Sequence, residues 1–329
     1  MKKHLIAAAV AATLAVPAMA QVSISGRIDT AVASKKAQGT AGNATVTSLT
    51  DNLLTSNQLV LSGSEDLGGG IKASFTISSP VESDTNSSSF NFGGRGMIVG
   101  ISGGFGAINL GRSTGSMGLS IMASGFNGNL GNLGVEDGRP NDSISYHTPA
   151  ISGFSGRVLY GIGDEDAADT SKGKQVEISG EYKAGALLIR ASHATHTEAT
   201  GSNDKTETGL QVNYDLGMAA INVRYMEMDV DGGNTSDTTR MGVGVSVPLG
   251  AGLSVFADHW SYDANVSTAD YSVTSAGVVK ALSKRTNVYG VYATANTKSG
   301  ATGNSGNQIS AGLAGKDPSV LAIGVRHSF

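Results

Sequence analysis

The sequence predicts an all-β protein, a transmembrane antiparallel β-barrel of about sixteen strands. Three observations predict it. Residues alternate apolar and polar along most of the chain. Short glycine-rich turns alternate with long polar stretches without exception. After residue 20 no apolar run approaches the length of a membrane helix.

The first twenty residues read as a separate unit. Lys2 and Lys3 precede an apolar run from Leu5 to Val16, then Pro17 and the small-x-small triplet Ala18-Met19-Ala20. This is the pattern of a secretory signal peptide. The expected organisation is therefore a leader over 1–20 and a barrel over 21–329. Removing the leader takes two lysines and no acid, so the formal charge moves from −4 to −6. A mildly acidic chain without a basic block argues against nucleic-acid binding. Having no cysteine excludes disulfide scaffolds and thiolate metal sites.

The strands follow in order. In Val22 to Val32 the even positions are mostly apolar and the odd ones polar. Gln211 to Tyr214, Ile221 to Tyr225 and Met241 to Val247 repeat the habit. Such alternation places one face against lipid and the other against water. Because only every second position is apolar, 40% hydrophobic residues suffice for a membrane protein. Outside the leader no helical period is visible.

Seven tight connections lie near Leu67 to Gly70, Gly103 to Gly106, Pro149 to Gly153, Lys183 to Gly185, Asp215 to Gly217, Pro248 to Gly252 and Leu282 to Arg285. The long stretches are Ser34 to Leu54, Val81 to Gly94, Ser113 to Pro140, Gly163 to Gly173, His196 to Lys205, Val230 to Thr238, Asp263 to Asp270 and Asn296 to Asp317. Short periplasmic turns and long extracellular loops describe an outer-membrane barrel. A barrel of this size encloses an aqueous channel, and closure leaves no exposed edge.

Six segments, in order, resemble the Gram-negative trimeric porins of the betaproteobacterial general-diffusion type. They are Ser25-Gly-Arg-Ile-Asp29, Gly63 to Ala73, Phe105-Gly-x-x-x-Leu-Gly-Arg112, Asn141 to Tyr146 with Pro149, Leu282 to Tyr289, and the ending Ile323-Gly-Val-Arg-His-Ser-Phe329. The resemblance implies a homotrimer, a third loop folded into the lumen, and a terminal strand read through Phe329 by the outer-membrane insertion machinery. It also implies contact with lipopolysaccharide and outer-membrane lipid, passage of small hydrophilic solutes, and no cofactor or catalytic activity.

Candidate pore residues come from parity. Phe329, His327, Val325, Ile323 and Leu321 share one face, assigned to lipid. Arg326 then faces the lumen, and the same count turns Arg27, Asp29, Lys72, Arg157, Arg190 and Arg224 inward. A charge at mid-depth on the lipid face would cost about 2–4 kcal/mol, which keeps arginines on the polar parity. Arg112 is assigned to the constriction by its match to the family's arginine at the mouth of the third loop. His147 occupies a position that is often basic in the family. The third loop carries only two acids, Glu136 and Asp137, and the family's usual acidic motif is absent. The expected function is a passive, water-filled channel for small hydrophilic solutes and ions, with at most a weak anion preference resting on Arg27, Arg112 and Arg157. The alternative is a substrate-specific channel with a solute-binding constriction, which the low aromatic content, 5%, disfavours.

Other chemistries are weaker. His193-x-x-His196 has the look of a metal pair, but His193 falls on the lipid parity. Asp229-x-Asp231-Gly-Gly-Asn234 with Asp237 is oxygen-rich but lacks the calcium-loop register. The glycines around Gly103 lack the Lys-Ser/Thr of a phosphate loop.

Overall fold

The computed structural model describes residues 21–36, 45–84, 91–123, 125–126, 128–131, 138–163, 173–197, 203–232, 237–265, 270–297, 304–305, 309–310 and 317–329. The expected leader 1–20 and the loop acids Glu136 and Asp137 lie outside them.

The strands are β1 (Gln21–Lys36), β2 (Thr45–Asp51), β3 (Gln58–Gly68), β4 (Ile71–Pro80), β5 (Gly96–Gly103), β6 (Gly106–Arg112), β7 (Ser143–His147) and β8 (Phe154–Gly161). They continue as β9 (Lys174–Ala184), β10 (Leu187–Thr197), β11 (Lys205–Asp215), β12 (Ala220–Val230), β13 (Thr238–Gly250), β14 (Leu253–Ala264), β15 (Tyr271–Ala281) and β16 (Thr286–Thr297). Two short strands, β17 (Asn304–Ser305) and β18 (Ile309–Ser310), pair within the last long loop, and β19 (Ser319–Ser328) follows.

All neighbours pair antiparallel, and β19 pairs with both β16 and β1, which closes the sheet. The seam runs from Arg27 opposite Ser328 to Lys36 opposite Ser319. At the periplasmic end Phe329 exchanges two backbone hydrogen bonds with Gly26, at 3.0 and 3.1 Å. The main sheet counts seventeen strands, but β2 and β3 share one position. β1 pairs with β3 over Gln21 to Arg27 and with β2 over Thr30 to Lys36. The barrel therefore has sixteen positions.

Burial is inverted relative to a soluble protein. Ile323 is 73% exposed and Ile178 61%, whereas Gln211, Asn222 and Asp29 are 0% exposed. Apolar side chains form an outer belt and polar ones face inward, as a lipid-embedded wall around an aqueous interior requires. Phe105, Phe154, Tyr182, Tyr214 and Phe329 stand on the outer face beside the tight turns. They form the periplasmic aromatic girdle.

All seven short turns occur where the alternation places them. Two regions differ from the sequence expectation. The stretch Ser34 to Leu54, read as one loop, instead extends β1 and supplies β2, because Thr45 to Asp51 finds a full ladder on β1. The true interruption is at 52–57, where Asn52 takes φ 57° and turns Leu53 and Leu54 into the barrel. The third loop holds a helix, Met117–Met122, and a 3₁₀ turn, Gly128–Gly131. Six residues are too few for a visible period. The helix is set by the Ser116 side chain, which accepts from the Leu119 N–H at 3.1 Å.

Candidate pore constriction

The third loop folds into the lumen and is fastened to the wall at successive points. It leaves β6 at Ser113, where the Arg157 guanidinium on β8 donates to Gly115 O (2.6 Å) and Ser113 Oγ (3.1 Å). Glu177 on β9 accepts the Met117 N–H at 2.9 Å and lies 3.8 Å from Arg157. The helix rests on β10, β11 and β12, with Ile121 and Met122 packed on Met226. The backbone of Phe126 comes close to the Asp258 carboxylate on β14.

The loop then reaches the strand break. The Asn129 amide donates to Asn52 O (2.7 Å) and Ser56 Oγ (3.1 Å). Leu130 joins Leu53, Leu54, Trp260, Val273, Val291 and Val320 in a buried apolar cluster. This apolar patch lies on the inward parity of β14–β16, β19 and β1, where alternation alone predicts polar residues. The loop covers it, so it never meets water. At Gly128 (φ +57°) the loop passes so close to the Leu54 carbonyl that no Cβ would fit.

The break itself is organised by Asp29. Its carboxylate accepts the N–H of Leu54 (2.9 Å) and Thr55 (2.7 Å), and the Tyr289 hydroxyl from β16 at 2.5 Å. Its own N–H donates to the Asn57 side chain at 2.6 Å. A buried carboxylate with three donors is well satisfied.

The positive side of the lumen differs in membership from the sequence expectation. Arg27 faces inward and donates to Ser56 O at 3.1 and 3.2 Å, close enough to Arg326 for their charges to interact. Two loop arginines join it, Arg95 before β5 and Arg139 at the end of the third loop. Burial, with Arg139 and Arg27 as neighbours, lowers the Arg95 pKa to about 10, still well above neutrality. Burial and Arg112 lower that of Arg139. No described carboxylate lies within ion-pair distance of either. Sequence reasoning missed both, since loop residues carry no parity.

Arg112 is placed otherwise than expected. It pairs with Met97, on the outward parity shared by Leu110 and Val99. Its guanidinium turns to Gly94 O (3.2 Å) and the Asn141 side chain at the extracellular end of the strand. The Leu-Gly-Arg motif fixed the strand but not the facing. Arg157 and His147 are inward and directly paired, and Arg157 is committed to the third loop and Glu177. Lys72 keeps the inward parity but sits at the periplasmic rim, opposite Asp66 and Ser102.

The wall opposite this group carries mixed charge. Arg190 donates to Glu181 (2.6 Å) and Gln211 (3.4 Å). Arg224 donates to Asp258 at 2.7 Å. Glu207 lies 3.6 Å from His196 and 3.8 Å from Arg240. Each of these cations has an acid, whereas no described acid lies at ion-pair distance from Arg27, Arg95, Arg139 or Arg326.

The Gram-negative porin profile matches residues 7–300. The chain belongs to the Gram-negative porin family. This porin is 31% identical to outer membrane porin protein 32 of Delftia acidovorans over the full length of both chains. It is 29% identical to the major outer membrane protein P.IB of Neisseria meningitidis over 58% of each chain. Its fold superposes on the anion-selective porin from Comamonas acidovorans with TM-score 0.80 and 28% identity, covering 94% of this chain and all of the other. An OmpF of Salmonella typhi, 14% identical with TM-score 0.69, shares the fold. The porin is thus a passive diffusion channel of the outer membrane, a non-catalytic transport protein that spans the bilayer with strands and conducts small solutes.

Proposed function

We propose that ions and small hydrophilic solutes cross beside the third loop, past Arg27, Arg95 and Arg139, and that these guanidiniums give a weak preference for anions. The observation that carries this is the pair Arg95 and Arg139, charged at neutral pH and without a described carboxylate at ion-pair distance. A narrow, low-dielectric passage lined by one sign of charge favours the opposite ion. The anion-selective relative from Comamonas acidovorans supports the sign. Glu136 and Asp137, next in sequence to Gly138 and Arg139, temper the preference. Arg112, His147, Arg157 and Lys72 contribute less, being at a rim or already engaged.

Reversal potentials in a salt gradient test this. Wild type should favour anions, and Arg95→Gln with Arg139→Gln should bring the potential toward zero, while Arg112→Gln moves it little. A cation preference in wild type, or a double variant as selective as wild type, would overturn the assignment.

The assembled form is proposed to be a homotrimer in contact with lipopolysaccharide, delivered after removal of residues 1–20 and inserted through its last strand. Conductance steps in threes, and a mature chain beginning at Gln21, are the matching observations. Phe329→Ala should lower the yield of folded protein in the outer membrane far more than the conductance of what folds.

A further inference from the structure

His193 and His196 lie on one strand but on opposite faces. His196 turns inward to Glu207. His193 turns outward, and its Nδ1 lies 2.9 Å from Thr208 Oγ1 on the neighbouring strand. The same arrangement recurs at His259, whose Nδ1 is 2.8 Å from Thr274 Oγ1. All four residues are exposed on the lipid side.

The two hairpins match position for position on that side. Going up, β10 presents Leu187, Ile189, Ala191 and His193, and β14 presents Leu253, Val255, Ala257 and His259. Coming down, β11 presents Thr208, Leu210 and Val212, and β15 presents Thr274, Ala276 and Val278. Each histidine is the seventh residue of its strand and each threonine the fourth. Both pairs therefore stand at one height above the turns Gly185–Ala186 and Ala251–Gly252. Below them the outer face is apolar. The next outward residues above are Thr195, Thr206, Ser261 and Ser272. On these four strands the pairs mark where apolar outer residues give way to hydroxyls, while Val176 and Met241 carry the apolar face one step higher on the flanking strands.

An imidazole inside hydrocarbon would leave a polar nitrogen unsatisfied. At this transition it meets lipid headgroups instead. With Nδ1 accepting the threonine hydroxyl, the neutral ring carries its proton on Nε2, the nitrogen left for the surroundings. We propose that the two His–Thr pairs are contact points for phosphate groups of outer-leaflet lipids, with Nε2–H donating to a phosphate oxygen and threonine fixing the ring. The proposal rests on the outer-membrane placement of the barrel and adds a ligand to its outer wall.

Native mass spectrometry of the detergent-purified protein tests it, with lipid A and dephosphorylated lipid A as probes. Wild type should retain the phosphorylated form preferentially. His193→Phe with His259→Phe should cut that preference roughly tenfold, as loss of hydrogen bonds to a charged group does. Thr208→Val with Thr274→Val should give a smaller loss. His327→Phe is the control: His327 bonds Thr286 at 2.9 Å at the periplasmic edge, so the preference should not change. An unchanged preference in the double histidine variant would overturn the proposal. So would loss of oligomer with lipid preference intact, which would make the pairs subunit contacts. Complete displacement of lipid A by inorganic phosphate would show a free-anion site in place of a lipid one. Conductance of the same variants reports separately on the channel, so failure here leaves the porin reading standing.

Discussion

The Arg224 guanidinium on β12 meets the Asp258 carboxylate on β14 at 2.7 Å, reaching over the strand between them. It can do so because β13 offers only Gly242 and Gly244 at the crossing. A Cβ at Gly242 would stand 2.7 Å from Arg224 Nη2, and one at Gly244 would collide with Asp258. Both charged side chains are 2% exposed or less. Arg224→Met should therefore leave a buried, unpaired carboxylate and cost about 3–5 kcal/mol. Arg224→Met with Asp258→Leu should cost much less. Urea midpoints of the folded barrel in lipid vesicles check both; equal losses for the single and double variants would contradict the pairing.

Gly242→Val should mimic the loss of the pair without touching either charge. The expected result is a lower urea midpoint with reversal potential unchanged, because this wall is already charge-balanced.

Leu130 is the apolar peg of the third loop, packed with Leu53, Leu54 and Trp260. Leu130→Ala should cost about 2–5 kcal/mol of local packing. The strands do not depend on this contact. The variant should fold, with higher and noisier single-channel conductance as the loop comes away from the wall. Quiet wild-type openings would contradict this.

Tyr289→Phe removes one of three donors to the Asp29 carboxylate. A buried acceptor losing a partner costs about 1–3 kcal/mol. The break at 52–57 should loosen, read as faster proteolysis there with barrel content by circular dichroism unchanged.

Selectivity should hold between about pH 6 and about pH 9. Burial lowers the Arg95 pKa to about 10, so its charge persists across that window. The folded value lies below that of a free guanidinium, so the charged form costs stability at neutral pH, and the cost is relieved as pH rises through about 10. Reversal potentials across the window check the first statement. A sharp change inside the window would contradict the assignment to Arg95.

Much of the fold was legible because strand period and turn chemistry are local. The turns at Leu67 to Gly70 and Asp215 to Gly217 declare themselves by glycine, and the facing of Arg157, Arg190 and Arg224 follows from counting. What was hidden is non-local. The break at 52–57 depends on Asp29, about 25 residues away, and its residues look like loop. Val291, Ala293 and Ala295 read as misplaced on an inward face until Leu130 is seen to cover them. Arg95 and Arg139 sit in loops with no period, and only the folded path brings them beside Arg27. Arg112 differs for another reason: the motif named its strand end but not its facing, and strand parity turns it outward.

The seam between β1 and β19 joins the two ends of the barrel's chain through ten paired positions. Until the last strand is present, the first has an open ladder along that edge. Closure is therefore the final topological event, and every earlier intermediate carries two unsatisfied edges, able to capture foreign strands. The order of synthesis makes the first strand wait longest. Along those open edges backbone as well as apolar side chains stands uncovered until closure.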